Sequence, residues 1–393
     1  MSSKGGSARA ATPPPRSSGA AMTRRIYLDY NATAPVRPVA REAMVELLTQ
    51  VGNASSVHSE GRTARAAREK AREAVAALIG ARPADIVFTS GGTEANALAL
   101  RGSGCGSLLV SAGEHPSVLE ARCDAQRVPL AADGRIDCDA LEALLADTQE
   151  PALLSVQLAN NETGVIQPIG QVVEVARAAG ALVHCDAVQA AGKLPIDVAS
   201  LGVDLLSLSA HKIGGPQGVG ALWVRSGLEL RPLQRGGGQE MRRRSGTENL
   251  PGIVGFAAAA EEAQGDVQRS ATLAAWRDAM EQRVVSAEPQ TMIAGSDAPR
   301  LANTSCLVSP QLTAELQLMA LDLAGFAISS GAACSSGKVG HSHVLEAMGL
   351  PARLLDKAVR VSLGWASREE DVQAFAEAWV ELHRRRRSGA AVA

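Results

Sequence analysis

Apolar residues fall in short runs separated by longer amphipathic stretches. Ile86-Val87-Phe88-Thr89 is apolar at consecutive positions, as in a strand covered on both faces, and predicts an interior strand. Leu108–Ser111, Leu153–Gln157, Leu182–Cys185, Leu205–Ser209 and Gly220–Val224 predict further strands of this kind. Between several of them apolar positions recur three and four residues apart, which predicts helices, clearest in Arg62–Ile79 and Gln171–Ala179. Strands and helices alternating at this pitch give a mostly parallel sheet with helices on both faces. From about residue 270 the pattern shifts to longer helices and fewer strands, which predicts a second, smaller α+β unit. No internal repeat is visible.

Composition narrows this picture. The 393 residues suit one large α/β unit or two coupled domains. Hydrophobic residues make up 46% and charged residues 20%, which excludes wholesale disorder. Lys and Arg total 39 against 41 Asp and Glu, without the basic excess of a nucleic-acid binder. No apolar run approaches the ~18–20 residues of a membrane helix. The segment before Asp29 has no acidic residue and is rich in Ser, Ala, Gly and Pro. It cannot bury enough apolar surface to fold. Residues 1–24 are therefore expected to be a disordered basic tail, with a transit peptide or a true start at Met22 as alternatives. The run Arg384–Arg387 suits the negative end of a helix dipole, either as a solvated helix end or as a docking patch for an acidic partner.

The six cysteines are Cys105, Cys123, Cys138, Cys185, Cys306 and Cys334. None forms a CxxC pair, which argues against a zinc ribbon or a thioredoxin motif. The expectation is a reduced, cytoplasmic enzyme whose cysteines are mostly buried small hydrophobes.

Three features carry chemistry. The strand Ile86–Thr89 runs into Ser90-Gly91-Gly92-Thr93-Glu94 and then a helical pattern. Glycines admit a close ligand, and amides at a helix start favour a phosphate. Such turns are also common without any ligand. Strand Leu205–Ser209 leads into Ala210-His211-Lys212. A lysine at the mouth of a buried strand is either a Schiff-base amine or an exposed turn residue. Asp186 ends the strand Leu182–Cys185. An aspartate beside a pyridinium nitrogen is the group that makes pyridoxal phosphate an electron sink. Phosphate loop, strand-end aspartate and strand-end lysine, in that order, point to a pyridoxal-phosphate enzyme. His115 follows another strand, at the sheet edge where ligands of open α/β folds bind. Strand alternation in Ala358–Gly364 puts Arg360 and Ser362 on one face, and a guanidinium fork there matches a carboxylate.

The chain resembles the cysteine desulfurases, class V members of the fold-type I pyridoxal-phosphate enzymes, from about Ile26 to Glu381. The motifs that carry the likeness are Tyr27-Leu28-Asp29-Tyr30-Asn31-Ala32-Thr33, Thr89–Glu94, Glu114-His115, Asn160-Asn161-Glu162-Thr163-Gly164, His184–Gln189, Ser209–Lys212, Arg244-Ser245-Gly246-Thr247, Ser329–Cys334 and Arg360–Gly364. The pattern around Cys334 looks like the branch of nitrogen-fixation and housekeeping iron–sulfur enzymes. The resemblance implies a large domain with a mostly parallel seven-stranded sheet between helices, plus a smaller α+β domain. It implies that Lys212 holds the cofactor as a Schiff base, Asp186 pairs with the pyridine nitrogen and Gln189 bonds the phenolic oxygen. His115 would stack on the ring, with a proton relay as a further role. Gly92, Thr93, Ser209 and His211 would bind the phosphate, and Thr247 would reach the phosphate of a neighbouring subunit, so a homodimer is expected. Asn161 would lie over cofactor and substrate, and Arg360 would take the carboxylate of L-cysteine.

Cys334 sits among Ser, Ala and Gly with Lys338 nearby, compatible with an exposed thiolate. The family's chemistry implies that it attacks the substrate sulfur, carries a persulfide and passes it to a protein acceptor such as an iron–sulfur scaffold. The tail that binds the scaffold in many such enzymes is replaced here by the arginine run, which puts scaffold docking in doubt. The expected division is 1–24 as tail, 40–268 as the cofactor domain, and 25–39 with 269–393 as the small domain, its cysteine loop at about 327–340. A selenocysteine lyase, a class V aminotransferase and a non-enzymatic assembly module remain as alternatives.

Overall fold

The computed structural model describes residues 24–148, 151–331 and 340–389. The expected tail before Arg24 and the centre of the expected cysteine loop, Cys334 included, lie outside the described residues. Arg24 itself is described, and its guanidinium pairs with Asp371 at 2.7 Å.

Seven strands form the main sheet. Their order is Ile86–Thr89, Gly220–Val224, Leu205–Ser209, Leu182–Asp186, Ala152–Gln157, Ser107–Ser111 and Gln126–Val128. Gly220–Val224 runs antiparallel to both neighbours, and the other pairings are parallel. The mostly parallel sheet is as expected. The pattern missed Gln126–Val128, an edge strand in which Val128 alone is buried, so it shows no apolar run.

Alternate strand residues feed two cores, as the pleat requires. Ile86, Phe88, Leu109, Leu154, Val183 and Leu206 pack under the helices Ser59–Ala77, Ile169–Ala178 and Leu250–Asp266. Val87, Leu108, Leu153, Leu205 and Leu222 pack under the helix Gly92–Gly102. Double coverage is why these strands read as continuous apolar runs.

The outer edge at Ile86–Thr89 is closed by a buried ion pair. Glu240 accepts the main-chain N–H of Phe88 at 2.8 Å, and Arg72 donates to the Ile86 carbonyl at 2.9 Å. The two side chains meet through two bonds of 2.7 and 2.8 Å. Glu240, Met241 and Arg242 all have left-handed backbone, with φ of 44°, 55° and 65°. Conformations of this kind cost free energy in residues with a Cβ and persist where surrounding contacts enforce them.

The C-terminal part builds a four-stranded antiparallel sheet in the order Ser329–Ser330, Ala358–Ser362, Thr304–Val308, Met292–Ile293. Ile26–Tyr27 pairs in parallel with Phe326–Ala327. Trp379 and Phe375 of the helix Glu369–Arg387 are fully buried against this unit together with Leu28, Met280 and Phe326. That helix carries Glu369, Glu370 and Asp371 in its first turn and Arg384–Arg387 in its last, both favourable to its dipole. Arg384 and Arg385 reach Glu381, and Arg387 reaches Glu288. Among the described residues, no helix is long and apolar enough to cross a membrane.

Candidate active site

A pocket of about 260 Å³ lies at the C-terminal ends of the parallel strands. Gly92, Thr93, His115, Asn161, Asp186, Gln189, Ser209, His211, Lys212 and Arg360 all line it. These ten candidates come from six separate stretches of chain. Thr247 is exposed and does not line it.

The phosphate-loop candidate is a close backbone approach. Gly91 precedes the helix Gly92–Gly102 with φ 153° and ψ −179°, a region that only glycine enters readily. A Cβ on Gly92 would stand 2.9 Å from Val188 Cγ2. The helix start has no side-chain cap, and its first residues, Gly92 and Thr93, line the pocket. Glu94 folds back to accept the Ser90 N–H at 2.7 Å and takes Arg244 Nε at 2.9 Å. The Arg244–Thr247 stretch is thereby tied to the loop.

Asp186 is held from two sides. Its Oδ1 accepts the Val188 N–H at 2.9 Å and its Oδ2 accepts Asn96 Nδ2 at 2.7 Å. Asn96 Oδ1 is buried without a partner among the described residues. Glu114 lies beneath, fully buried, and accepts the Gln157 N–H at 2.6 Å. Burial, and then the charge of Asp186, push its carboxyl well above the usual range, which favours the neutral acid.

His115 caps the short helix Pro116–Leu119, its Nδ1 accepting the Ser117 N–H at 3.1 Å. A backbone amide only donates, so the neutral ring carries its proton on Nε2. Burial holds its pKa below that of an ordinary histidine.

Lys212 follows strand Leu205–Ser209 in a tight turn. Its Nζ donates to the main-chain oxygens of Asn31 and Ala32 at 2.6 and 2.9 Å. His211 beside it meets Thr33 Oγ1 at 3.2 Å, and burial, then Lys212, push its pKa down to about 4. The segment 29–34 is thus laid across the lysine turn. The exposed-turn alternative for Lys212 does not hold.

Arg360 sits on the strand Ala358–Ser362, flanked by strands on both sides and only 3% exposed. It is not an edge-strand surface residue. Its Nη2 binds Asp29 Oδ1 at 2.8 Å and its Nη1 binds the Asn161 carbonyl at 3.0 Å, while Nε has no partner among the described residues.

Both described flanks of the cysteine segment meet one carboxylate. Ser342 Oγ donates to Glu162 Oε2 at 2.5 Å, and a Cβ on Gly331 would collide with the same oxygen. His343 Nε2 bonds the Glu114 carbonyl at 2.9 Å. Of the other cysteines, Cys105, Cys185 and Cys306 are buried, Cys138 is partly buried and Cys123 is exposed, so packing does not explain Cys123.

Asn31, Asn96, Ser117 and Lys193 belong to this constellation and were not singled out as site residues. Asn31 lay inside the motif Tyr27–Thr33, and Asn96 lies on the turn of helix next to the glycine loop. Nothing local marked Lys193.

The chain matches the aminotransferase class V family over residues 26–375. It is 44% identical to a cysteine desulfurase of Cereibacter sphaeroides, covering 88% of this chain and 92% of that protein. It is 41% identical to a cysteine desulfurase of Klebsiella pneumoniae, covering 89% and 90%. An X-ray structure of a NifS-like protein from Rickettsia africae superposes with a TM-score of 0.86 at 33% identity, covering 92% of this chain and all of that one. The match runs through both sheets and every segment that builds the pocket, and on that basis the chain belongs to the class V aminotransferase family and, within it, to the cysteine desulfurases.

Proposed function

We propose that the pocket holds pyridoxal 5'-phosphate and binds L-cysteine beside it, and that the sulfur removed passes to Cys334 with L-alanine as the other product. The convergence of Asp186, Lys212 and the glycine-built helix start on one pocket carries this assignment. The residues fit that cofactor: the helix start and Ser209 suit a phosphate, Asp186 suits a ring N–H, and Lys212 offers the amine. The unpartnered oxygen of Asn96 adds polar capacity on the same wall.

When bound, the cofactor supplies an electron sink for the pair left on the substrate Cα. Lys212, held by two carbonyls, takes the Cα proton. Asp186, fixed by Asn96 and Val188, keeps a cationic ring nitrogen paired. His115 and Gln189 line the walls. Arg360, held in place by Asp29 and Asn161, takes the substrate carboxylate. The Cys334 thiolate forms a bond to the substrate sulfur as the carbon–sulfur bond breaks.

The same proposal includes a homodimer in which Thr247 serves the neighbouring subunit. It is supported by the exposure of Thr247 and by uncovered apolar residues Val36, Val39, Val45, Leu48, Val51 and Val57. The sulfur acceptor is proposed to be a protein, such as an iron–sulfur scaffold. The division into residues 40–268 and 25–39 with 269–393 is supported by the pairing of Ile26–Tyr27 with Phe326–Ala327.

The test is product analysis with L-cysteine, with selenocysteine as competitor. Equal amounts of alanine and released or enzyme-bound sulfur are expected, with the added sulfur found by mass on the peptide containing Cys334. Sulfur on another cysteine, or alanine formed without it, overturns the assignment.

A further inference from the structure

Behind the pocket wall is a second lysine. Lys193 Nζ lies 2.9 Å from Gln189 Oε1 and 2.9 Å from Asn31 Oδ1. Both partners are neutral amides, and among the described residues no carboxylate forms an ion pair with it. The charged groups around it are Lys212 and Arg360, the latter paired with Asp29. On its outer side Lys193 shares a smaller cavity, of about 50 Å³, with Arg37, Asp266 and Arg269. There Arg37 pairs with Asp266, and Arg269 donates to the Trp365 carbonyl at 2.6 Å. Burial, followed by the charges of Lys212 and Arg360, keeps Lys193 well below the ordinary lysine range. An amine at such a place is costly unless its hydrogen bonds matter.

Those bonds decide an orientation. Towards an amide oxygen a lysine amine can only donate, and a main-chain carbonyl only accepts. Gln189 is clamped between one of each, with Oε1 on Lys193 and Nε2 2.9 Å from the Asn31 carbonyl. The Asn31 side chain is held in the same sense: Oδ1 accepts from Lys193 and from Asn303 Nδ2, and Nδ2 donates to Thr304 Oγ1 at 2.9 Å and to the Asn161 carbonyl at 3.3 Å. The same Asn31 carbonyl receives Lys212. Lys193 does not line the main pocket; it reaches it through Gln189 and Asn31, which do.

We propose, building on the cofactor assignment above, that Lys193 is a positioning residue: it fixes which end of the Gln189 amide donates, and it fixes Asn31, the support of the Lys212 amine. Gln189 then presents a hydrogen-bond donor to the pocket. A donor there stabilises an anionic oxygen on a bound ligand, and a neighbouring amine disfavours a further proton on the Lys212 nitrogen. Losing both raises the pH at which the bound cofactor takes up its proton.

Three proteins decide this: wild type, Lys193→Met and Lys193→Arg, each loaded with pyridoxal phosphate. The visible absorbance of the bound cofactor is titrated against pH, and rebinding to the stripped protein and the thermal midpoint are measured alongside. For Lys193→Met the titration midpoint rises by about one unit, a tenfold change in proton affinity, and rebinding weakens by about tenfold. Lys193→Arg, which keeps the donors, stays near the wild-type midpoint whatever its thermal midpoint does. Should Lys193→Met fail to fold, Lys193→Gln, whose shorter side chain withdraws the amine, reports the same shift. A coloured wild type with an unshifted Lys193→Met, or a Lys193→Arg shifted as far as Lys193→Met, overturns the role of Lys193 alone. A wild type that takes up no pyridoxal phosphate overturns the cofactor assignment and this inference with it.

Discussion

The Lys212 amine rests 2.6 Å from the main-chain oxygen of Asn31, although the two residues are 181 positions apart. A residue near the start of the chain therefore holds the Lys212 nitrogen in place. Because the contact is to backbone, no side-chain change at residue 31 removes it directly, and the lysine itself is the place to intervene. Lys212→Ala should lose the visible band of covalently held pyridoxal phosphate, and sulfide release should fall by about 10²–10⁴-fold or more. An unchanged spectrum would remove Lys212 from its assigned role.

Asn96 donates to Asp186 Oδ2 at 2.7 Å and to Ser117 Oγ at 2.9 Å. Asn96→Leu keeps the branched shape and deletes a hydrogen bond to a carboxylate, worth about 1.5–3 kcal/mol. Affinity of the stripped protein for pyridoxal phosphate should fall roughly 10–100-fold, measured by absorbance titration. Unaltered affinity would show that Asp186 is held well enough by Val188 alone.

The Arg72–Glu240 pair closes a sheet edge from within the protein. Glu240→Gln leaves Arg72 with the half-exposed Glu69 as its one remaining carboxylate among the described residues. Stability should drop by up to about 3 kcal/mol, read as a lower denaturant midpoint at constant slope. A midpoint within error of wild type would mean the edge is held by the remaining packing.

His184 is fully buried between Ser155 Oγ and Ser207 Oγ, and burial pushes its pKa down to about 4. Unfolded, the same histidine titrates near 6.5. Between these values the unfolded chain binds the extra proton, so stability is present above pH 6.5 and is lost as pH falls toward 4. In His184→Gln the slope of stability against pH in this window should be shallower by up to about 1.4 kcal/mol per unit. An unchanged slope would show that His184 is not held neutral.

Cys334→Ser should keep the visible absorbance of the bound cofactor and lose sulfide release. A variant releasing sulfide at the wild-type rate would exclude Cys334 as the nucleophile.

Much of this site was legible along the chain, for reasons that can be named. The strands Ile86–Thr89 and Leu205–Ser209 are covered on both faces, so burial wrote itself into consecutive apolar residues. Gly91-Gly92 stood out because the backbone there needs glycine conformations and glycine bulk. Gln126–Val128 was invisible because an exposed edge imposes no pattern. Asn96 and Lys193 were missed because their importance lies in what they hold, Asp186 in one case and Gln189 in the other. Those partners lie on other elements or across a turn whose conformation periodicity does not specify.

By itself the sequence determined the alternation of strands and helices, the glycine loop, and the placement of Asp186 and Lys212 at strand ends. These follow from local rules: side-chain period, glycine's missing Cβ, and the few residue types able to do this chemistry. Only the tertiary structure decided that segment 29–34 covers Lys212, that Arg360 is paired with Asp29 inside the protein, and that a second lysine stands behind Gln189. Many of these contacts join residues more than a hundred positions apart, and their partners are interchangeable polar types. Which asparagine meets which lysine is settled by packing the two sheets together, and no periodicity in the chain encodes it.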